Sequence, residues 1–185
     1  MSPELLRFLE QMKRDGISRN IPNISISSGH ILQFFLRIIG AKNVFEIGCA
    51  NGFSTIFLAD ALRDAGGKLV TSDVSQPSFE EAQENLSKVH LSKYVDFRFG
   101  DAVNVLDEHE KFDLIFIDGQ KNRTHEFFEF AKKHLFPRGI ILVDNTAKFP
   151  KKMEAFTKLR NREFEFFFFD ILLDASDMMT VAFCK

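Results

Sequence analysis

The stretch Val44-Phe45-Glu46-Ile47-Gly48-Cys49-Ala50-Asn51-Gly52-Phe53-Ser54-Thr55 decides the fold. A short apolar run suited to a buried strand leads into two glycines and then into a helical pattern over residues 53–63. Strand, glycine turn and helix in immediate succession open a parallel α/β sheet. Gly48 permits the tight turn, and Gly52 lets the following helix pack close to the sheet. Backbone N–H groups at the helix start can then hold a negative or polar ligand group. Ala50 stands where a dinucleotide fingerprint has its middle glycine, which argues against a pyrophosphate. An ordinary glycine turn before a helix is the plain alternative.

Working outward, the same alternation continues. Strands are expected at 68–72, 94–99, 112–117 and 140–143, with helices from Ser75 to about Leu91, over 102–107, over 124–135 and over 150–160. Apolar runs without alternation suit strands covered on both faces. Upstream, Leu5, Leu6, Leu9 and Met12 make one stripe of a helix over 2–14 that Gly16 should stop; a polar connector spans 17–28, and a helix over 29–39 ends at Gly40. Downstream, 163–173 and 178–184 read as strands joined by only Asp174 to Asp177. A parallel crossover needs about a dozen residues, so this pair should be an antiparallel hairpin. The expected fold is α/β, a doubly wound and mostly parallel sheet with helices on both faces. We read residues 1–185 as a single domain, with 1–40 a helical cap and 41–185 the α/β core.

Composition narrows the function. Hydrophobic residues are 45% and charged residues 27% of 185, which describes an ordinary globule. Lys plus Arg number 24 against 26 Asp plus Glu, so no strong field favours nucleic acid. No apolar run approaches ~18 residues, so no membrane span is expected. The acidic residues Glu4, Glu10 and Asp15 exclude a signal peptide reading. Cys49 and Cys184 form no metal-like or redox-like pair, which points to a reducing, cytoplasmic setting. Phe is over-used, at 23 against one Tyr and no Trp. The run Phe166-Phe167-Phe168-Phe169 could suggest a binding or membrane surface, but a buried strand near a sheet edge is the expected reading.

In such a sheet, ligands sit at the carboxyl ends of the strands, so the residues just after each apolar run are the candidates. Asp73, 25 positions beyond Gly48, can accept bonds from a ribose diol or merely cap the next helix. Asp101 of Gly100-Asp101-Ala102 can accept from an adenine amino group or cap a short helix. Asp118, Asp144 and Asn145 follow two strands expected to be neighbours, and they offer three hard oxygens suited to Mg²⁺ or Ca²⁺. Capping of the following segments is the plain alternative for the two aspartates. His30, His90, His109, His125 and His134 show no metal-ligand spacing.

These motifs together resemble the class I S-adenosylmethionine-dependent O-methyltransferases, more narrowly the metal-dependent branch that includes catechol and caffeoyl-coenzyme A O-methyltransferases. Val44–Thr55, Gly100–Ala102, Phe112–Asp118 with Lys121, and Gly139–Asn145 carry the likeness. The resemblance implies a Rossmann-like methyltransferase fold with seven strands in the order 3-2-1-4-5-7-6. It implies that Glu46, Gly48 and Ser54 surround the methionine part of S-adenosylmethionine, with Gly52 of the same loop also at the cofactor, that Asp73 holds the ribose, and that Asp101 and Ala102 line the adenine. Asp118, also near the cofactor, would bind one divalent cation (Mg²⁺ or Ca²⁺) with Asp144 and Asn145. Lys121 would be the base beside the acceptor hydroxyl. The implied reaction is methyl transfer to a hydroxyl of a small, aromatic diol acceptor, and a homodimer stays open. The segment after Asn145 is shorter than in the family, and Ser176-Asp177 stands where the family has Asp-Gly. Rival readings are a methyltransferase acting on a larger or non-hydroxyl acceptor, an NAD-type oxidoreductase, and a non-catalytic nucleotide-binding protein.

Overall fold

In the computed structural model, which describes residues 1–174 and 177–185, the chain opens with two helices, α1 (Pro3–Ser18) and α2 (Ile26–Ile38). It then alternates through β1 (Asn43–Ile47), α3 (Phe53–Ala65), β2 (Lys68–Asp73), α4 (Gln76–Lys88), β3 (Val95–Phe99), β4 (Phe112–Ile117), α5 (Thr124–Lys133), β5 (Leu135–Val143) and α6 (Pro150–Arg160). The last strands are β6 (Phe166–Asp174) and β7 (Asp177–Cys184). All seven lie in one sheet in the order β3-β2-β1-β4-β5-β7-β6. The first five pair in parallel, while β7 runs antiparallel to both β5 and β6. The expected class, strand order and hairpin are all present. The connection itself, including Ser176, passes through residues 175 and 176, which lie outside the described residues.

Burial on both faces explains the unbroken apolar strands. One face packs Val44, Leu114 and Leu142 under Leu9, Leu32, Ile56 and Phe57 of the first three helices. The other packs Phe45, Ile115 and Ile141 under Phe128 of α5 and Phe156 of α6. Parallel register sets the geometry of the site. Ile47 lies opposite Ile117, and Ile117 opposite Val143, so Gly48, Asp118 and Asp144 leave three adjacent strands at one level.

Four local expectations are corrected. Gly16 does not stop α1 but lies within it, because the returning connector presses Asn23 to 2.7 Å from where a Cβ would stand. Helix α2 starts at Ile26, not at 29, because Ser25 caps it by accepting from the Ser28 N–H at 2.9 Å. Strand β5 begins at Leu135 and includes Pro137, with the irregular register near Phe112 absorbing the missing donor. The helix expected over 102–107 is only a 3₁₀ turn, Ala102–Asn104. The phenylalanine run does form the sheet edge, but alternation buries only part of it: Phe166 is buried, whereas Phe167 and Phe169 are 51% and 43% exposed.

Candidate active site

Loops at the carboxyl ends of the parallel strands, roofed by the α1–α2 connector, enclose a cleft of about 600 Å³. Gly48, Ser54, Asp73, Asp101, Ala102 and Asp118 all line it, as do Lys121, Asp144 and Asn145. Glu46 and Gly52 do not. Gly52 starts α3 at φ +85 with its back against Ala82 and Leu86 of α4.

Glu46 lies fully buried beneath the loop. It accepts hydrogen bonds from the hydroxyls of Ser54 and Thr55 at 2.6 Å each and of Thr71 at 2.7 Å. Desolvation outweighs these three donors and pushes its carboxyl up to about 7. Glu46 therefore ties β1, β2 and the first turn of α3 together. Gly48 bends the chain at φ +93, and a Cβ there would stand 3.0 Å from the Asp118 carbonyl oxygen. Ala50 holds φ +44, a conformation costly for a residue with a Cβ. Asp73 braces it, accepting from the Ala50 N–H at 2.9 Å with one oxygen and from the Ser75 N–H at 2.8 Å with the other.

At the end of β3, Asp101 accepts from the Val103 N–H at 3.4 Å and from Arg123 Nη1 at 2.8 Å. It both caps its turn and pairs with a cation. Arg123 also binds Glu126 through two bonds of 2.8 Å and lies 4.8 Å from the Phe127 ring centroid. It fastens the β3 end to the loop that carries Lys121.

The β4 and β5 ends are charged and partly unpaired. Lys121 Nζ donates to Asp118 Oδ1 at 2.5 Å and lies 3.4 Å from the Asp144 carbonyl oxygen. Burial raises the Asp118 carboxyl above its ordinary range against the pull of Lys121. Burial, then the Asp118 charge, pushes Asp144 up to about 8. Among the described residues Asp144 Oδ1 is buried without a hydrogen-bond partner. Asn145, at φ +59, gives its Nδ2 to Asp177 Oδ2 at 2.6 Å, which leaves its side-chain oxygen for another partner.

Among the described residues no three His, Cys, Asp or Glu side chains gather as a ready metal cage. The donor set at this end is two carboxylates and an amide oxygen. Hard oxygens of this kind, with one buried carboxylate oxygen unsatisfied, fit a divalent cation that keeps several waters.

Asp177, Arg123 and Lys148 also line the cleft and were not among the expected site residues. Asp177 had a usable signal: a final antiparallel strand must begin beside the end of β5. Arg123 and Lys148 had none, since neither sits at a strand end.

A family model described as O-methyltransferase matches residues 1–174. Catechol O-methyltransferase from Niastella koreensis is 33% identical over 141 residues, covering 72% of this chain and 63% of that protein. Caffeoyl-CoA O-methyltransferase 2 from Zea mays is 31% identical over 134 residues, covering 69% of this chain and 50% of that protein. Among solved structures, the O-methyltransferase from Bacillus cereus in complex with SAH superposes with a TM-score of 0.86 at 28% identity, covering 97% of this chain and 91% of that one. The chain thus spans between half and two thirds of the length of the two curated relatives.

Proposed function

This chain belongs to the O-methyltransferase family, and from that premise we propose that it transfers the methyl group of S-adenosylmethionine to a hydroxyl of a small aromatic diol, assisted by one divalent cation. The observation that carries the reading is the common level of Gly48, Asp118 and Asp144 on three adjacent strands, all opening into one cleft. On this reading the β1–β3 ends receive the donor and the β4–β5 ends the acceptor.

Each residue then has a task. The Gly48–Gly52 loop and Ser54 receive the amino-acid end of the donor, and Glu46 fixes Ser54 from below. Asp73 keeps free lone pairs for a ribose diol beyond the two N–H groups it already holds. Asp101 and Ala102 border the adenine. Asp118, Asp144 and Asn145 would hold the cation, whose chemistry is to lower the pKa of a bound hydroxyl and fix its direction. Lys121 Nζ is assigned to take the hydroxyl proton. An ammonium cannot accept a proton, so in this role Lys121 must first part from Asp118 and give up its own proton, leaving the neutral amine that takes the hydroxyl proton. Pro22, Ile24, Phe149 and Leu173 supply an apolar wall for the acceptor ring. Orientation of the hydroxyl against the methyl carbon supplies the rest of the rate.

Among the described residues no helix is long and apolar enough to cross a membrane. Two free cysteines suit a reducing compartment, and the cytoplasm is the proposed location. A homodimer is proposed on the outer side of the edge strand β6, where exposed Phe167 and Phe169 leave an apolar face and an unpaired strand edge can meet its own copy about a twofold axis. Sedimentation equilibrium reads that state.

Calorimetric titration with S-adenosylmethionine, its demethylated product and NAD tests the assignment. The two methyl-cofactor forms should bind and NAD should not. NAD binding with no response to the other two would overturn it in favour of an oxidoreductase.

A further inference from the structure

Two strands of opposite direction meet at the β5 end of the cleft. Val143 of β5 lies opposite Thr180 of β7, and just beyond that pair Asn145 and Asp177 face each other across the ladder. Thr146 fastens the crossing: its N–H and Oγ1 both donate to the Met178 carbonyl, at 2.9 and 3.1 Å. Beside this anchor Asn145 takes φ +59, a left-handed conformation that asparagine adopts more readily than most residues. Both side chains line the cleft, and Asp177 is buried.

The hydrogen bonds between these residues have a fixed direction. Asp177 Oδ1 accepts the Met178 N–H at 2.9 Å, and Asp177 Oδ2 accepts Asn145 Nδ2 at 2.6 Å. A carboxylate offers only acceptors, so the atom that Asn145 turns towards it is the amide nitrogen. The amide oxygen is left over, on the chain neighbour of Asp144, whose Oδ1 is buried without a partner among the described residues. An amide free to rotate would offer a cation its nitrogen as readily as its oxygen, and only the oxygen is a ligand for a hard ion.

We propose that Asp177 is the positioning residue of the cation site: it takes the Asn145 amide nitrogen and so fixes the amide oxygen as the ligand, without itself touching the ion. This rests on the metal-assisted reading and adds a residue to it. Asparagine cannot replace Asp177, because it has one side-chain acceptor atom where two donors, the Met178 N–H and Asn145 Nδ2, must be met. If its oxygen keeps the Met178 N–H, its nitrogen meets Asn145 and turns that amide over.

The test titrates the whole chain with Mn²⁺, which takes the same hard oxygens and whose free ion is counted by electron paramagnetic resonance. Four proteins are compared: wild type, Asp177→Asn, Asp177→Ala, and the double variant Asn145→Asp with Asp177→Asn. Melting curves, and calorimetry with the demethylated cofactor product, check that each variant folds. Asp177→Asn should weaken Mn²⁺ binding by about tenfold or more, the usual effect of losing a partner that orients a ligand. Asp177→Ala removes the same charge without turning the amide over, and should lose less. The double variant reverses the bond at unchanged net charge: the introduced asparagine donates to the introduced aspartate, whose other oxygen is left for the ion. Its affinity should return to within about threefold of wild type. Asp177→Asn binding as wild type does, or no more weakly than Asp177→Ala, would overturn the proposal, as would a double variant as weak as Asp177→Asn. If Asp177→Asn fails to fold, affinity lost in Asp177→Ala and restored in the double variant upholds the proposal, and any other result overturns it. No Mn²⁺ binding to wild type would overturn the metal-assisted reading and this proposal with it, whereas binding to wild type without the expected ranking overturns this proposal alone.

Discussion

The two halves of the cleft differ in how completely the polypeptide satisfies itself. At the ends of β1, β2 and β3, Glu46 accepts three hydroxyls, Asp73 accepts two backbone N–H groups, and Asp101 accepts a backbone N–H and Arg123. At the ends of β4 and β5, one oxygen of buried Asp144 has no partner among the described residues, and the carboxyls of Asp118 and Asp144 are held above their ordinary range. Buried polar groups are normally paired, and an orphan costs about 1–3 kcal/mol. The half proposed for the donor is therefore the more completely hydrogen-bonded of the two, although Asn51 Oδ1 in its loop is also buried without a partner among the described residues. The half proposed for the acceptor keeps a buried carboxylate oxygen open to a ligand.

The largest effect should come from the acceptor half. Lys121→Ala should cut turnover by roughly 10²–10⁴ while leaving donor affinity nearly unchanged, as steady-state kinetics beside calorimetry would show. A variant as fast as wild type removes the lysine from the chemistry. A variant that loses donor affinity as well breaks the separation of the halves.

Next comes the foundation of the donor half. Glu46 holds its proton up to about pH 7 in the fold but releases it near 4.5 when unfolded. Between those values the folded state binds more protons, so the stabilisation present at low pH is lost as pH rises through the window. The share from this group is roughly 3 kcal/mol at most. Urea midpoints measured from pH 4 to 8 should fall, and Glu46→Gln should flatten part of the fall. An unchanged slope in the variant means that the loop rests on something else.

Asp73→Ala is the smaller perturbation. It removes a brace of the Ala50 turn together with the ribose acceptor, and should weaken S-adenosylmethionine binding by about 1.5–3 kcal/mol without changing the response to metal. Equal affinity in the variant would assign Asp73 to the turn alone.

The halves also differ in how legible they were. Strand order, hairpin and glycine loop follow from local rules: apolar runs, turn residues and loop length. Asp73, Asp118 and Asp144 followed because each ends a strand. Glu46 was expected beside the donor, but its inward position in β1 puts it under the loop instead. Gly16 and Ser25 were misjudged because a glycine inside a helix looks like its end until Asn23 is seen against it, and a serine cap is invisible in a run of polar residues. Arg123 meets Asp101 across 22 positions and Asn145 meets Asp177 across 32, pairings set by the closed sheet and by no periodicity. The acceptor half depends on such pairings, so less of it could be read.

The division is tested most directly by one experiment with two readouts. Donor affinity by calorimetry and methyl transfer to a panel of aromatic diols would be measured on the same protein with Mg²⁺, with Ca²⁺ and with EDTA. The account predicts donor affinity within about twofold across all three conditions, because that half is the more completely hydrogen-bonded by the chain itself, and turnover that collapses in EDTA. Full turnover in EDTA, or donor binding that disappears with the metal, would contradict it.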